Sequence, residues 1–565
     1  MKYIASHNRE QLVLFPEKLD DLVSENNPVR VIDTFVEQLN LEKIGFTKTK
    51  LVDSKPGRSP YSPSCMLKLY IYGYFKKTRS SRKLMDLCMT NIEVMWLIGR
   101  LTPDFRTISD FRKENAGAIK NVFKAFVKMC IELGLYSKEV GVQDGSKFRA
   151  VNAKGNNVTE PKLLKKLELV EEKIEKYLEE MDRNDKEESD SQEYTKEEME
   201  EKIEKLKARK EEYNELLKQM REEGITQISF TDPEAKLMKT ANGGFDVCYN
   251  TQIIVDPESH MIGTFEITNH CNDMGLLSPV TAKAKEDLGA DVIDIVADKG
   301  YEDNVDMLKC LMSGTIPHIP SKSGKESYEF ETEYKETTLT EELLDSTKSE
   351  AIKTCLEAGV VPNVYRDKGI EVSVHEVEQY VCDERSQWRF TLNEEKTAVI
   401  CPNGSSLNKV SRLHNKGKTR FTSKSACKEC KNKCTTSKFK QVDLKDGQTA
   451  LYAKKYQMIK KVKIKLTPDK EKIFNRKCVV EHPFGTVKRW QDGSYLLLKG
   501  TEKAGADLAL SFLAYNIKRA INMAGIQQLI EKIRKIKGDC FGSIPSLFQS
   551  AYIMRLKSIP PLLFS

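Results

Sequence analysis

The chain has 565 residues, 39% of them hydrophobic and 31% charged, with a formal net charge of +7 and 14 cysteines. That length exceeds what one core supports and points to two to four domains, and no uncharged apolar run of about 18 residues is present to span a membrane. The opening MKYIASHNREQLVLF lacks an apolar h-region, which argues against secretion, so the cysteines are expected to be reduced core residues, metal ligands or nucleophiles.

Residues 1–135 read as mainly helical. Pro28 precedes the periodic run VRVIDTFVEQLNL, and Pro60 and Pro63 lie just ahead of SCMLKLYIYGYF. A basic cluster follows at an expected helix start, made of Lys76, Lys77, Arg79, Arg82 and Lys83. It fits backbone phosphates, or equally a solvated face. EVGVQDGSKFRAV then reads as a short strand ending in a polar turn at Gly145. Two highly charged helical runs occupy 161–225. Leu164, Leu167, Val170, Ile174 and Leu178 recur at three- to four-residue steps in the first, and Met199, Ile203, Leu206 and Tyr213 in the second. That spacing predicts an antiparallel hairpin or coiled coil, its halves joined by the acidic DRNDKEESDSQEYT.

Strands return in FDVCYNTQIIVD and MIGTFEITNH, around a turn at PESH. GLLSPVTAKAKEDLG reads as a helix and DVIDIVADKGYED as a strand that stops at acidic and Gly residues. Residues 320–460 read as irregular. A helix holding VVEHPFGTVKRW follows, then the long helical run TEKAGADLALSFLAYNIKRAINMA, then a loosely structured tail.

Three acids from distant places stand out. Asp144 and Asp298 each fall where an apolar run stops and a Gly-containing turn begins, the position at which open α/β sheets gather ligands, although an Asp there also commonly caps a turn. On a helix of 100° per residue, Ile473, Val480, Phe484 and Val487 form a core-facing stripe. Glu481, Lys477 and Lys488 then lie along its border, with Pro483 bending the helix between them. Carboxylates so placed suit two divalent cations acting on a phosphodiester, with lysines positioning the backbone by charge.

Cys401, Cys427, Cys430 and Cys434 form a second group, in CPNG and CKECKNKC. A C-x2-C pair closes readily on zinc, and two further thiolates complete a tetrahedron. The spacing is not that of a standard finger, so free structural cysteines are the other reading, and Cys382 and His414 are the substitutes if one ligand is misassigned. Lys and Arg crowd residues 409–440, where Glu429 is the one acid, which attracts phosphate.

QDGSKFRA, ADKGYED and VEHPFGTVKRW resemble, in order, the three signature regions of bacterial insertion-sequence transposases of the DDE type. Residues 56–113 resemble the helical N-terminal region of that group, FTDPEAKLMKTANGGFDVCYNTQIIVD its second and third core strands, and SYLLLKGTEKAGADLALSFLAYNIKRAIN its closing helix. The resemblance implies an α/β fold with an RNase H-like catalytic core and a helical N-terminal DNA-binding domain over 1–135. The core would comprise 136–160 and 226–320, interrupted by the hairpin at 161–225. A basic cysteine-rich insertion would span 321–465, the C-terminal core helices 466–530 and a tail 531–565. Carried over, Asp144, Asp298 and Glu481 are the catalytic acids for two Mg2+ (or Mn2+) ions, and the four cysteines hold a structural Zn2+. Lys488, Arg489, Lys477, Arg476, Lys147, Arg79 and Arg82 are the DNA-binding residues, and Tyr301 packs or contacts DNA. Partners are the double-stranded transposon ends and target DNA, in a homodimer or larger homo-oligomer that is cytoplasmic and nucleoid-associated. A domesticated DNA-binding copy, or a nuclease that cuts without joining, are the other readings.

Overall fold

The computed structural model describes residues 18–47, 60–184, 196–240, 243–381, 388–410, 418–430, 434–435, 437–445, 447–453 and 455–536. The acidic link at 185–195, Cys382, His414 and the tail beyond 536 lie outside the described residues. The chain divides into two compact units, residues 1–324 with 468–565, and residues 325–467.

The first unit is mixed α/β with a helical N-terminal region. Asn27 caps the first long helix, Pro28–Glu37, by accepting the Val29 N–H, and Pro28 supplies the preset φ of a first turn. The next, α1 (Pro63–Phe75), is apolar on every side and buried almost throughout. It packs on α6 (Thr501–Ala524), which also lies against α2 (Ala116–Glu132) and is buried from Ala504 to Ile517. At this helix junction Asp507, on α6, is fully enclosed. Arg79 donates to Asp507 at 2.7 Å, Tyr74 also bonds it, and Arg112 donates to the Tyr74 hydroxyl at 2.7 Å. A charge can sit there because it is paired and hydrogen-bonded.

The sheet contains β1 (Val140–Arg149), β2 (Lys236–Lys239), β3 (Phe245–Val255), β4 (Ile262–Thr268), β5 (Ile293–Val296) and β6 (Thr315–His318). One edge of β1 pairs antiparallel with β3, whose far edge is shared by β2 and β4. The other edge of β1 pairs parallel with β5, and β5 with β6. Helices cover the faces, so β3 is buried from Val247 to Val255, with apolar residues at either end and the buried polar trio Asn250, Thr251 and Gln252 between them.

Two helices, α3 (Glu160–Asn184) and α4 (Lys196–Glu222), lie antiparallel, clamped by Arg221–Glu160 and Lys210–Glu171 ion pairs, both at 2.8 Å. Leu163, Leu167, Val170 and Ile174 form the buried stripe of α3. Leu164 and Leu178, expected in it, are exposed because the seam begins one residue earlier.

The second unit corrects the irregular reading of residues 320–460. Lys455–Leu466 lies between Ile370–Val381 and Tyr328–Glu333 in an antiparallel sheet, with Lys463–Glu329 and Lys465–Glu371 pairs at 2.9 and 3.1 Å. Six short strands form another sheet around Phe390, Val399, Leu407, Phe421, Val442 and Leu444. These strands are three to five residues long and bury at most two side chains each, so they lack an apolar run that marks a strand.

Candidate active site

Parallel pairing of β1 with β5 ends at Val142 opposite Val296. Both chains continue, and two residues on each presents an aspartate, Asp144 and Asp298. Because side chains alternate, both return to the face of the last shared pair. Asp298 caps a short turn by accepting the Gly300 N–H at 2.7 Å. Asp144 is not at a strand end as the sequence suggested. β1 runs on to Arg149 against β3, with Gly145 opposite Gln252.

Gly145 is required for a close approach rather than a turn. A Cβ there would stand 2.3 Å from Gln252 Nε2 and 2.5 Å from Asp273 Oδ1. Asp273 accepts hydrogen bonds from Asn250 Nδ2 and Gln252 Nε2, each at 2.8 Å, and lies 3.8 Å from the Lys147 ammonium. This carboxylate, beside Asp144, was missed in the sequence: CNDMG follows a strand with nothing to mark its Asp as facing the site. Tyr301 is buried and donates to Gln252 Oε1.

Above the aspartates runs α5 (Lys470–Gly485), packed on β1, β5 and β6. Its first turn is tied down twice. The Asp469 N–H donates to His318 Nδ1 at 3.0 Å, and Lys472 pairs with the buried Asp294 on β5. One turn further, Arg476 reaches between the two acids, 3.5 Å from Asp144 Oδ1 and 3.9 Å from Asp298 Oδ2. Burial pushes the Asp144 carboxyl up to about 6, against the opposing pull of Arg476.

Glu481 stands five residues after Arg476, about 140° around the helix, and is exposed. Val479, Val480, Phe484 and Val487 bury the inner face, whereas Ile473 is only half-buried and Phe474 is 85% exposed. The expected shared edge of Glu481 and Lys488 is corrected by the backbone. Thr486–Trp490 forms a π-helical turn, which breaks the 100° count and turns Lys488 toward β1. There its ammonium donates to Ser146 Oγ at 2.5 Å and the Lys147 carbonyl at 2.7 Å, over the Phe148 ring. Desolvation lowers this lysine to about 8. Burial also lowers Lys147, opposed by Asp273.

Of the other expected DNA contacts, Arg489 and Arg82 are exposed, and the side chain of Lys477 lies outside the described residues. Arg79 is a correction: it is buried, and its Nη atoms also donate to the Asp492 and Tyr495 carbonyls at 2.6 and 2.8 Å, which places it inside the helix junction rather than on a surface open to DNA. In the second unit, Cys401, Cys427, Cys430 and Cys434 line one cavity. N–H groups of Ser405, Lys440 and Asn403 point at the sulfurs of Cys401, Cys427 and Cys430, at 3.3, 3.4 and 2.9 Å. Among the described residues, no three His, Cys, Asp or Glu side chains are grouped closely enough to hold a metal ion.

Two family models match the chain. A transposase domain (DUF772) covers residues 17–114, and a transposase DDE domain covers 400–521, which includes Glu481 and most of α6. Both matches support an insertion-sequence DDE transposase. No curated protein and no solved structure matches it. The DDE match leaves Asp144 and Asp298 outside its span, so the pairing of those two acids rests on the register of β1 and β5. No helix among the described residues is long and apolar enough to cross a membrane.

Proposed function

We propose that this transposase binds the terminal repeats of its own element, cuts the phosphodiester at the element end and joins the freed 3′-OH to target DNA at the same site. The observation that carries the reading is the convergence of Asp144 and Asp298 beyond the last β1–β5 pair, under a helix that also carries Glu481. The sheet order, antiparallel strands on one side of β1 and parallel strands on the other, supports an RNase H-like core interrupted by the α3–α4 hairpin.

The donor chemistry of Asp144 and Asp298 suits Mg2+ or Mn2+, as hard carboxylate oxygens on adjacent strands, with no third such group joining them among the described residues. Asp144, Asp298 and Glu481 are the residues assigned to hold the ions. Bound there, divalent ions supply Lewis acidity to an attacking and a leaving oxygen. The chain's own part is placement. Asp144 is fixed by the ladder on one side of β1, and Lys488 pins the Ser146–Lys147 backbone immediately beyond it. Lys147, Arg489, Lys477 and Arg82 hold DNA phosphates by charge. The four cysteines hold a structural Zn2+, a reading supported by N–H donors aimed at three of the sulfurs. The α3–α4 hairpin pairs protomers in a homodimer or larger assembly, and the enzyme works on the nucleoid.

A strand-transfer assay with oligonucleotides bearing the element's ends tests this. Joined products that disappear in Asp144→Asn, Asp298→Asn and Glu481→Gln are expected. Cutting without joining would make the protein a nuclease, and binding alone a non-catalytic DNA-binding protein.

A further inference from the structure

Two arginines in the first unit are held differently. Arg79 is buried and donates from its two Nη atoms to Asp492 O, Tyr495 O and Asp507 at 2.6–2.8 Å, with Nε alone left unpartnered among the described residues, the mark of a guanidinium that holds structure together. Arg476 is less enclosed, its side chain 14% exposed against 6% for Arg79, and its contacts with Asp144 and Asp298 are 3.5 and 3.9 Å. Both exceed hydrogen-bond length, and Arg476 Nη1 is buried with no hydrogen-bond partner among the described residues. Nor is Arg476 needed to dock α5, since Lys472–Asp294 and Asp469–His318 already do so one turn earlier. What Arg476 contributes is a positive charge between two carboxylates, loosely held.

Resting on the transposase reading above, we propose that Arg476 is an internal counter-cation that competes with the divalent metal for Asp144 and Asp298. DNA phosphate, by drawing the guanidinium away, then couples substrate binding to metal loading. A guanidinium carries the right charge for this exchange and binds phosphate in the same bidentate manner as carboxylate. Because coupling is reciprocal, a duplex that withdraws Arg476 raises metal affinity by the factor by which metal raises duplex affinity. The competition also favours ion loading only where a phosphodiester is present.

The test is Mn2+ titration of the full-length protein near neutral pH, with and without a short duplex, alongside thermal unfolding. Arg476→Gln is expected to tighten Mn2+ binding about tenfold in the absence of DNA. The duplex is expected to tighten Mn2+ in the wild type and to add little in Arg476→Gln. Lys147→Gln removes an equal charge that faces Asp273 instead, so it is expected to change Mn2+ affinity far less. Arg476→Lys keeps the charge on one ammonium that cannot span both acids, and is expected to fall between. Equal gains in Arg476→Gln and Lys147→Gln would reduce the effect to general charge and overturn the proposal. So would an unchanged or weaker affinity in a folded Arg476→Gln or Arg476→Lys protein. If Asp144→Asn leaves Mn2+ binding untouched in every background, the metal site itself is refuted. If Asp144→Asn abolishes binding while Arg476→Gln gains nothing, only the counter-cation role falls.

Discussion

Asp507 is the residue whose loss the fold should tolerate least. Burial works to raise its carboxyl, but Arg79 and Arg112 outweigh that effect and hold it below the ordinary carboxylate range. Oδ2 accepts from Arg79 at 2.7 Å and from the Leu497 N–H at 2.9 Å, and Tyr74 bonds Oδ1. Replacing Asp507 by Asn keeps the shape and removes the charge, leaving Arg79 and Arg112, both about 6% exposed at the side chain, without a counter-ion. Breaking a buried pair in this way costs about 3–5 kcal/mol, which lowers the melting temperature of a unit this size by on the order of 5 °C. Urea unfolding of Asp507→Asn against wild type measures it. The sign with pH follows from the depressed carboxyl: the stabilisation is complete above the unfolded value and is lost as pH falls through the folded one, so the two proteins converge in acid. A difference below about 1 kcal/mol at neutral pH would refute the argument, because it would mean that solvent or rearrangement compensates both guanidiniums.

Three further outcomes follow from the site. Asp144 is raised by burial, so the folded state takes up a proton that the unfolded chain has released between about pH 4 and 6, and native stability declines across that window. In metal-free buffer Asp144→Asn should therefore be more stable than wild type at pH 8, by about 1–3 kcal/mol, with no gain below pH 4; equal urea midpoints at pH 8 would contradict this. Gly145→Ala drives a methyl into Gln252 and Asp273, and should lose strand transfer and about 1–3 kcal/mol of stability by overpacking, read by activity and unfolding together. Elemental analysis should find one zinc per chain, lost in Cys427→Ser with Cys430→Ser; a purified protein without zinc sinks that assignment.

Helical periodicity carried the N-terminal region and the α3–α4 pair, because long amphipathic runs repeat one message many times. Single-residue seams, such as Leu163 in place of Leu164, are finer than that message. The second unit hid for the opposite reason. In KKVKIKL the alternating residues are lysines facing glutamates across strands, and a charge ladder reads as a polar loop until its partner strands are known.

The site shows where one-dimensional reading stops. Asp144 and Asp298 were visible because each follows an apolar run, and the parallel ladder between those runs stops two residues short of both acids. Asp273 was invisible because its proximity depends on an antiparallel neighbour, β3, whose Asn250 and Gln252 hold it, and on Gly145 having no side chain. Arg79 was misread because basic residues at a helix start look alike whether they face water or an aspartate more than 400 positions away. On α5 the error came from arithmetic. A uniform 100° step put Lys488 beside Glu481, but one π-helical turn after Pro483 reaims the lysine at the strand that carries Asp144. That reaiming gives Lys488 a different physical role. It is bonded to the backbone next to the acid, so it sets where Asp144 stands, and the freely held cation at the carboxylates is Arg476.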